Sequence, residues 1–332
     1  MRLPAVLPAA LRRAGAAILL LWLVVTITFA LVRLAPGDAA ALLIPPGASA
    51  EDVARLRTEL GLDQPVVVQY ARWIGNLLRG DLGESFSLRR PVAEALREAL
   101  PVSLGLGLTS ILLTFAIGVP LGILQAARRG RALDHLLTVV TTAVYAAPTY
   151  WVALALVAVF TYGAAMWGLP PGLRLPAFGL RTPGAELSGA AAFLDLVRHA
   201  VLPVSILSAV GAAGIARYAR SSVADVLTQD FVRTARAKGA SGARIYLRHV
   251  LANVLPPLVV LFALALPGVV AGSVFVEFVF AWPGMGRLMV TAIQARDYPM
   301  VMGATLIYAA LVIAANLSAE LALPALDPRR RA

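Results

Sequence analysis

Ionisable side chains that could do chemistry are few in this sequence. Charged residues make up 14% of the 332 residues, hydrophobic residues make up 59%, and cysteine is absent. The absence of cysteine excludes disulfides, thiolate metal sites and cysteine nucleophiles together. The three histidines, His135, His199 and His249, lie at the ends of apolar runs and have no partner at i, i+4 for a metal site. We therefore predict no metal site and no catalytic residue.

Nucleotide chemistry is also missing from the sequence. A nucleotide-hydrolysing P-loop is rich in glycine and ends in a lysine followed by serine or threonine. The single lysine of the chain, Lys238, is followed by Gly239, and no such loop precedes it. The sequence contains no nucleophile elbow and no paired-carboxylate motif either. We therefore predict that the chain is not an enzyme and binds no cofactor of its own.

Ion-coupled transport would require ionisable residues within the apolar runs. Ion-coupled carriers and proton pumps place carboxylates, lysines or histidines inside the bilayer, where such groups are unfavourable unless they serve a function. The apolar runs of this chain hold essentially no ionisable residue in their middles, and Glu277 and Glu320 are expected at the ends of spans. An ion-coupled secondary transporter is an alternative function, and a membrane-bound scaffold or enzyme is a third.

Six apolar runs must form the fold. The mean hydropathy of +0.80 and the low charge indicate an integral membrane protein. Because about 20 apolar residues cross a bilayer as a helix, we predict an all-α membrane protein with six transmembrane helices. Prolines at Pro120, Pro148 and Pro267 predict kinks or breaks. The predicted spans are residues 14–32, 100–127, 136–166, 199–216, 251–276 and 300–319.

The distribution of positive charge predicts the topology. The formal net charge is +11, and the arginines cluster at alternate ends of apolar runs, whereas a nucleic-acid binder would concentrate them on one face. Six alternating crossings place all four clusters on one side, and cytoplasmic loops are enriched in Lys and Arg. We predict a prokaryotic plasma-membrane protein with both termini cytoplasmic and no nucleic-acid partner. The clusters are residues 2–13, 128–131, 217–248 and 329–331.

The polar segment between the first two runs, residues 33–98, is predicted to form an external cap. Its acidic residues balance or exceed its arginines, and apolar residues from Val68 to Leu78 are spaced for one side of a helix. We therefore divide the chain into residues 1–100, the first transmembrane helix plus the cap, and residues 101–332, a five-helix core.

A basic island at residues 222–249 has the pattern of a docking helix. Apolar residues recur at i, i+4 spacing and would form one stripe that inserts into a partner, while flanking cations meet acidic groups. Alternatively, the island is a helix that lies on anionic lipid headgroups. Gly239 either stops the helix or permits a close approach that a Cβ would obstruct. The stripe is Val223, Leu227, Phe231 and Ala235, and the cations are Arg233, Arg236 and Lys238.

The segment Val-Arg-Thr-Ala-Arg-Ala-Lys-Gly, residues 232–239, followed by Leu255-Pro256, resembles a known signature. It is similar to the cytoplasmic signature of the membrane subunit of prokaryotic ABC importers of the dipeptide, oligopeptide and nickel permease family. Arg233 replaces the acidic residue of the general importer signature, and Leu-Pro comes about one helical turn later, as is usual in this branch. Further motifs are Pro36-Gly37-Asp38, Leu60-Gly-Leu-Asp-Gln-Pro65, Gly80-Asp-Leu-Gly83, the segment 276–287, Ala295-Arg-Asp-Tyr-Pro299 and Leu326-Asp-Pro-Arg329.

The resemblance implies a type I ABC importer (MetI-like) permease fold, with a cytoplasmic coupling helix and an external segment after the first helix. It implies two short helices bent at Gly239, the first of which lies in a groove of an ATPase subunit. The residues implied in ATPase docking are Leu227, Asp230, Phe231, Arg233, Thr234, Ala235, Arg236, Ala237, Lys238 and Gly239. The residues implied at the binding-protein side or external gate are Glu277, Trp282, Pro283, Gly284, Gly286 and Arg287.

The resemblance also implies the partners. They are a second homologous permease subunit, two ABC ATPase subunits that carry ATP and Mg, an extracytoplasmic solute-binding protein and the lipid bilayer. The two permeases would form the pathway for peptides or a similar small solute. Small polar side chains in the spans are candidates for lining this pathway, although each is also suited to close helix packing. They are Thr109, Ser110, Thr141, Thr142, Ser205 and Ser273.

Overall fold

Helices form most of the chain that the structure describes. The computed structural model describes residues 6–34, 49–59, 61–170, 173–271 and 273–326. Helices are numbered in chain order, and α6 and α9 each include one π-helical turn. The helices are α1 Val6–Leu34, α2 Ala50–Glu59, α3 Val66–Leu78, α4 Val92–Ala127, α5 Ala132–Ala146, α6 Thr149–Met166, α7 Gly189–Leu227, α8 Asp230–Ala237, α9 Gly242–Ala265, α10 Gly268–Ala271, α11 Val274–Val279, α12 Met285–Gln294 and α13 Tyr298–Leu326.

Six of the described helices are long and apolar enough to cross a membrane, and they are α1, α4, α6, α7, α9 and α13. This number confirms the predicted crossings and the all-α membrane class. The helix predicted within the cap is confirmed as α3, and a second helix, α2, precedes it. Three of the quoted motifs reach beyond the described residues, at positions 36–38, 60 and 327–329.

The third apolar run is divided by a proline. Ala147 has an extended backbone with a ψ of 133°, because the ring of Pro148 disfavours helical backbone in the residue before it. The helix before the break, α5, is apolar but short, and α6 alone reaches spanning length. The break at Pro148 therefore explains why this apolar run is longer than one straight span requires.

The fifth span was predicted too long. It ends at Ala265, before a turn at Leu266 and Pro267, and the prediction of one span as far as Val276 was wrong. The chain beyond this turn forms the two short helices α10 and α11. At Pro120, by contrast, α4 continues without interruption, so the break expected there is absent.

Two spans extend well beyond the apolar runs that predicted them. α4 begins at Val92 and not at residue 100, and α7 covers Gly189–Leu227 where only residues 199–216 were predicted. Hydropathy marks the part of a helix that lies in hydrocarbon. Polar residues with adequate helix propensity continue the helix on either side.

The chain separates into two compact units, of which the first comprises Met1–Val102 and Pro283–Ala314. Its core contains Val92, Met285 and Met300, all at most 1% exposed. This unit includes residues 283–314, whereas the division at residue 100 groups them with the five-helix core.

Asp297, just before α13, fixes the loop that precedes α4 within the first unit. Its carboxylate accepts hydrogen bonds from Ser85 Oγ at 2.5 Å, from Ser87 N at 2.9 Å and from Ser87 Oγ at 2.7 Å. Burial opposes ionisation of Asp297, but these hydrogen bonds outweigh it and hold the pKa of the carboxyl below its usual value. The loop and α13 are thereby joined by one buried carboxylate.

The second unit comprises Ser103–Trp282 and Ala315–Ala332, and glycines bring two of its long helices into close contact. A Cβ added at Gly118 would lie 2.8 Å from the carbonyl oxygen of Ala212, and one at Gly122 would lie 2.4 Å from that of Ala216. Such contacts between α4 and α7 require small residues, as is common where membrane helices approach closely.

An ion pair between half-buried Arg220 and buried Asp134 joins α5 to α7 in the same unit. Arg220 donates from Nε and Nη2 to the two carboxylate oxygens of Asp134, both at 2.8 Å. The backbone N–H of Gly130 adds a third hydrogen bond at 3.0 Å. The hydrogen bonds from Arg220 are the main cause that lowers the pKa of Asp134 to about 2.

Candidate functional site

The candidate site is α8, a helix of eight residues that follows the long helix α7. Only Thr228 and Gln229 separate the two helices. Asp230 lies in the first turn of α8 and Arg236 in the last, and each charge is favourable with the helix dipole. The sequence therefore favours a helix here in spite of its short length.

One side of α8 anchors it to the second unit. Val232 is fully buried and Ala235 is 9% exposed, and both lie on this side at i, i+3 spacing. Val232 packs in a cluster with Val223 of α7 and with Ile245 and Val250 of α9. The helix is thus held against the ends of two spanning helices.

The predicted apolar stripe does not exist as one continuous surface. It required a single helix through Val223, Leu227, Phe231 and Ala235, but the chain leaves the helical path between α7 and α8. This break turns α8 so that Val232 faces the core and Phe231 is 42% exposed. The stripe was wrong because i, i+4 spacing applies only within an unbroken helix.

Gly239 terminates α8. Its φ of +77° is left-handed, and its N–H bonds the carbonyl oxygen of Arg236 at 2.9 Å while Ala240 N bonds that of Ala235 at 3.1 Å. This pair of bonds is a Schellman motif, in which glycine is favoured because it has no Cβ. A Cβ at this position would meet no atom within 4 Å. Gly239 is therefore a helix stop and does not permit a close approach within the chain.

The exposed side of α8 combines one aromatic ring with several cations. Phe231 lies 6.4 Å from the ring of His249, centroid to centroid. Arg233 reaches Asp230 at 3.4 Å, and both side chains are largely exposed, so this pair contributes little to stability. Leu227 is half-buried and Ala235 buried, so these two add little to the exposed surface. The exposed residues are Asp230, Phe231, Arg233, Thr234, Arg236, Ala237, Lys238 and Gly239.

The second half of the basic island is not a separate helix. The expected pair of short helices would place one on each side of Gly239, but α9 begins at Gly242 and continues to Ala265. Within the basic island, α8 is the one helix that is separate from the spanning helices. The segment from Gly242 to Val250 is the first part of the fifth span.

Two of the residues assigned to the external side are buried in the second unit. Glu277 is 0% exposed, and its Oε1 accepts hydrogen bonds from Ser103 Oγ at 2.7 Å and Ser273 Oγ at 2.5 Å. Trp282 is 4% exposed. Glu277 was expected near the end of a span, but the fifth span ends at Ala265, and Glu277 lies on α11. Neither side chain offers a surface to a partner.

The other four external candidates belong to the first unit, at the start of α12. Gly284 precedes the helix with an extended backbone, and both Gly284 and Gly286 are buried. Pro283 is exposed and Arg287 is half-buried. Of these four residues, only Pro283 and Arg287 expose side-chain surface.

Two polar arrangements were missed by sequence reasoning. Asp195 lies four residues before His199 on α7, and its carboxylate accepts from Thr182 N at 2.8 Å and Thr182 Oγ1 at 2.6 Å. The bonds from Thr182 fix a loop. The i, i+4 spacing signals a different contact, that of His199 Nδ1 with Asp195 Oδ1 at 3.6 Å, so the expectation that His199 has no partner at this spacing was wrong. The described residues include no group of three potential metal ligands. The second is a cavity of about 240 Å³ in the second unit, lined in part by Ser110 and Ser273, which were among the predicted pathway residues, and by Thr114, which was not.

Six helices of membrane-spanning length, with a short, one-sided helix between the fourth and fifth, define a multi-pass membrane protein. The sequence matches the family described as "Binding-protein-dependent transport system inner membrane component" over residues 118–332. The matching N-terminal family covers residues 6–107. The chain therefore belongs to the binding-protein-dependent inner-membrane permeases.

Curated relatives extend over nearly the whole chain. The Oligopeptide transport system permease protein AppB of Bacillus subtilis (strain 168) is 36% identical over 320 residues, 96% of this chain and 98% of the relative. The Probable D,D-dipeptide transport system permease protein DdpB of Escherichia coli (strain K12) is 40% identical over 315 residues, 92% of each chain. The Di/tripeptide transport system permease protein DppB of Pseudomonas aeruginosa (strain UCBPP-PA14) is 37% identical over 331 residues, 96% of this chain and 97% of the relative.

Solved structures share the fold. A chain of the MetNI methionine ABC transporter in inward-facing conformations superposes with a TM-score of 0.53 at 18% identity, over 70% of this chain and 96% of that one. The fold is that of a MetI-like ABC importer permease. The protein is the membrane permease component of an ABC importer, and not an ion-coupled secondary transporter.

Proposed function

We propose that α8 is the surface through which ATPase subunits drive this permease. The observation that carries the proposal is the two-sided character of α8. Val232 is fully buried against both flanking spans, whereas Phe231, next to it in the chain, is 42% exposed. A helix held in this way transmits a force applied to its outer side directly to α7 and α9.

The chemistry of the exposed side indicates an acidic partner with an apolar pocket. Burial of one phenylalanine side chain contributes about 1.5–3 kcal/mol. Arg233, Arg236 and Lys238 lie on α8 or at its C-terminal end and are exposed, so carboxylates around such a pocket would orient the complex. ATP and Mg are then bound by the partner subunits, and this chain binds no cofactor.

The proposed topology places α8 in the cytoplasm, where ATP is available. The segments around Arg129, Arg233 and Arg330 lie on the same side when the spans alternate, and the excess of arginine there favours the cytoplasmic side. Both termini are then cytoplasmic. The exposed Pro283 and Arg287 lie on the opposite side, where an extracytoplasmic solute-binding protein would dock.

The cargo is a peptide or a similar small solute. The names of the three relatives above specify oligopeptide, D,D-dipeptide and di/tripeptide transport. The route would be completed by a second homologous permease. The hydroxyls of Ser110, Thr114 and Ser273, which share a cavity, are the candidates from this chain for contact with the solute.

The test is to place a charge at the centre of the exposed side. We expect Phe231→Asp to leave the permease folded in the membrane, because the side chain is exposed and outside the core cluster. Co-purification of the ATPase subunits should fall at least about tenfold, because an apolar anchor is lost and a charge is introduced. Uptake should fall in parallel, and ATP hydrolysis should no longer respond to the solute.

Phe178→Asp is the matched control, because Phe178 is a 50% exposed phenylalanine of the same unit. It should retain the ATPase subunits. Gly239→Asn and Gly239→Val form a second pair, since asparagine tolerates the left-handed backbone and valine does not. Two results would contradict the proposal and favour a helix that rests on lipid. One is full binding of the ATPase subunits by Phe231→Asp. The other is equal binding of the ATPase subunits by Gly239→Asn and Gly239→Val when the valine disrupts the end of α8.

A further inference from the structure

A second candidate site lies in the first unit, well away in sequence from α8. It is a cleft of about 620 Å³. Its walls are the end of α1, one side of α3, the loop of residues 81–89 and the start of α13. Each of these elements contributes charged or aromatic side chains.

One wall of the cleft is aromatic and fixed in position. Phe29 stacks on Trp73 with ring centroids 5.6 Å apart and meets Tyr70 edge-on at 5.2 Å. Tyr70 is held by a 2.6 Å hydrogen bond between its hydroxyl and Thr26 Oγ1. Such a wall is suited to the apolar body of a ligand.

Three arginines line the same cleft, and they are Arg33, Arg72 and Arg89. Within the described part of the chain, none of the three guanidinium groups takes part in an ion pair. Neighbouring Arg90 differs, because it binds Glu98 at 2.8 Å. The guanidinium of Arg33 instead lies 5.4 Å from the ring centre of Phe29. The cleft thus gathers cations that the described residues leave uncompensated.

Two buried polar atoms at the cleft also lack partners among the described residues. They are the amide oxygen of Gln69 and the hydroxyl of Tyr298. The amide nitrogen of Gln69 is already used, because it donates to the carbonyl oxygens of Leu62 and Gln64. Buried polar atoms are nearly always hydrogen-bonded. A ligand or water in the cleft would supply the bonds that the described residues leave unmade.

The lining also includes two carboxylates, Asp81 and Glu84. Asp81 accepts a hydrogen bond from Gly83 N at 2.8 Å and is otherwise exposed. Carboxylates elsewhere in the lining of the cleft repel a compact, doubly charged anion such as phosphate and complement an amino group. The chemistry of the cleft is therefore that of a zwitterion with an apolar body, and its volume lies in the range of small-molecule sites.

We propose that this cleft binds a small peptide, with the free C-terminal carboxylate on the arginines and an apolar side chain against Phe29 and Trp73. The proposal rests on the proposed cargo and adds a specificity-determining site on this chain. Guanidinium groups bind carboxylates with directed, charge-assisted hydrogen bonds. Three arginines that have no ion pair among the described residues make the terminal carboxylate the principal recognition element.

The experiment measures binding to the purified full-length chain in nanodiscs of phosphatidylcholine, without ATPase subunits. The probes are Ala-Phe and its C-terminal amide, measured by calorimetry. We expect Ala-Phe to bind and the amide to bind at least about tenfold more weakly, since a hydrogen bond to a charged group is lost. Because no ATPase is present, this result is independent of the α8 test.

Arg72→Gln should weaken binding of Ala-Phe by about tenfold, whereas Arg79→Gln is the matched control. Arg79 is an exposed arginine immediately after α3 that does not line the cleft. Arg89→Gln provides a second variant if Arg72→Gln lowers the unfolding midpoint. Equal affinity for Ala-Phe and its amide, or equal effects of the Arg72 and Arg79 variants, would overturn the proposal.

Displacement of Ala-Phe by inorganic phosphate or by phosphatidylglycerol in the nanodisc would also overturn it, and would assign the cleft to a phosphate group.

Discussion

At the scale of single residues, Asp134 shows how a buried charge can organise a membrane protein. Its carboxylate is 1% exposed and accepts three hydrogen bonds, two of them from Arg220. No local sequence pattern predicts this pair, because Asp134 lies at the start of one helix and Arg220 is 86 residues away. A bidentate pair that replaces the water lost on burial is the arrangement in which such a charge is tolerated.

The ion pair predicts a pH-dependent stability. The pKa of Asp134 is about 2 in the folded chain, below the usual 3.8, so the carboxylate stabilises the fold above pH 4 and loses this effect as the pH falls through about 2. We expect Asp134→Asn to lower the thermal unfolding midpoint by several degrees at pH 7. The difference from the wild type should be constant down to about pH 5 and narrow below about pH 4.

Asp225→Asn is the control for this measurement, because Asp225 is an exposed carboxylate on α7. Its midpoint should follow that of the wild type throughout. A difference between Asp134→Asn and wild type that is the same at pH 7 and pH 3.5 would contradict the role of the ionised carboxylate.

At the scale of elements, the close contact of α4 with α7 depends on residues that have no side chain. Gly122 would bring a Cβ within 2.7 Å of the Cβ of Ala219 as well as onto the backbone of Ala216. Overlaps of this size cannot be relieved by a rotamer change, because backbone atoms are involved. α4 and α7 must therefore move apart if a Cβ is added at Gly122.

Two alanine substitutions on α4 test this contact. Gly122→Ala should lower the unfolding midpoint, because overpacking of a well-packed interface destabilises by about 1–3 kcal/mol. Gly105→Ala on the same helix should be neutral or stabilising by up to about 1 kcal/mol, since a Cβ there meets nothing within 4 Å. Thermal unfolding in detergent measures both. Equal midpoints for the two variants would show that α4 and α7 are not in tight contact at Gly122.

The elements also show how much of the molecule the sequence could predict. The number of spans followed from hydropathy, and the division at Pro148 followed from proline geometry. The break between α7 and α8 did not, since Thr228 and Gln229 are both compatible with a helix and tertiary packing of Val232 decides the direction of the chain. For the candidate site, the chemistry of α8 was recognisable in the sequence, but the side that faces outward was not. The cleft of the first unit gathers residues from four separate segments, which no local pattern reveals.

At the scale of the whole molecule, the proposed topology places the cap and α8 on opposite sides of the membrane. The chain has no cysteine, so a single introduced cysteine reports its own side. Val67, which is 77% exposed on α3, and Ala237, which is exposed on α8, are suitable positions. Neither is in a core cluster.

We expect Val67→Cys to react with a membrane-impermeant maleimide in intact cells. Ala237→Cys should react only after the membrane is opened. Retention of both variants in the membrane fraction provides the control for insertion, and transport is measured only for Val67→Cys, because Ala237 is among the residues implied in ATPase docking. Labelling of Ala237→Cys from outside intact cells would reverse the proposed orientation.

The length of α7 has a mechanical consequence. Its 39 residues extend about 58 Å at 1.5 Å per residue, nearly twice the thickness of the hydrocarbon layer of about 30 Å. Part of α7 therefore lies outside the hydrocarbon layer, and the end that leads to α8 is continuous with residues 212–219, which contact α4 at Gly118 and Gly122. Pro203 lies farther along the same helix and removes one of its backbone hydrogen bonds. A continuous helical segment thus connects α8 to the contact with α4, and Pro203 is the point at which α7 can bend.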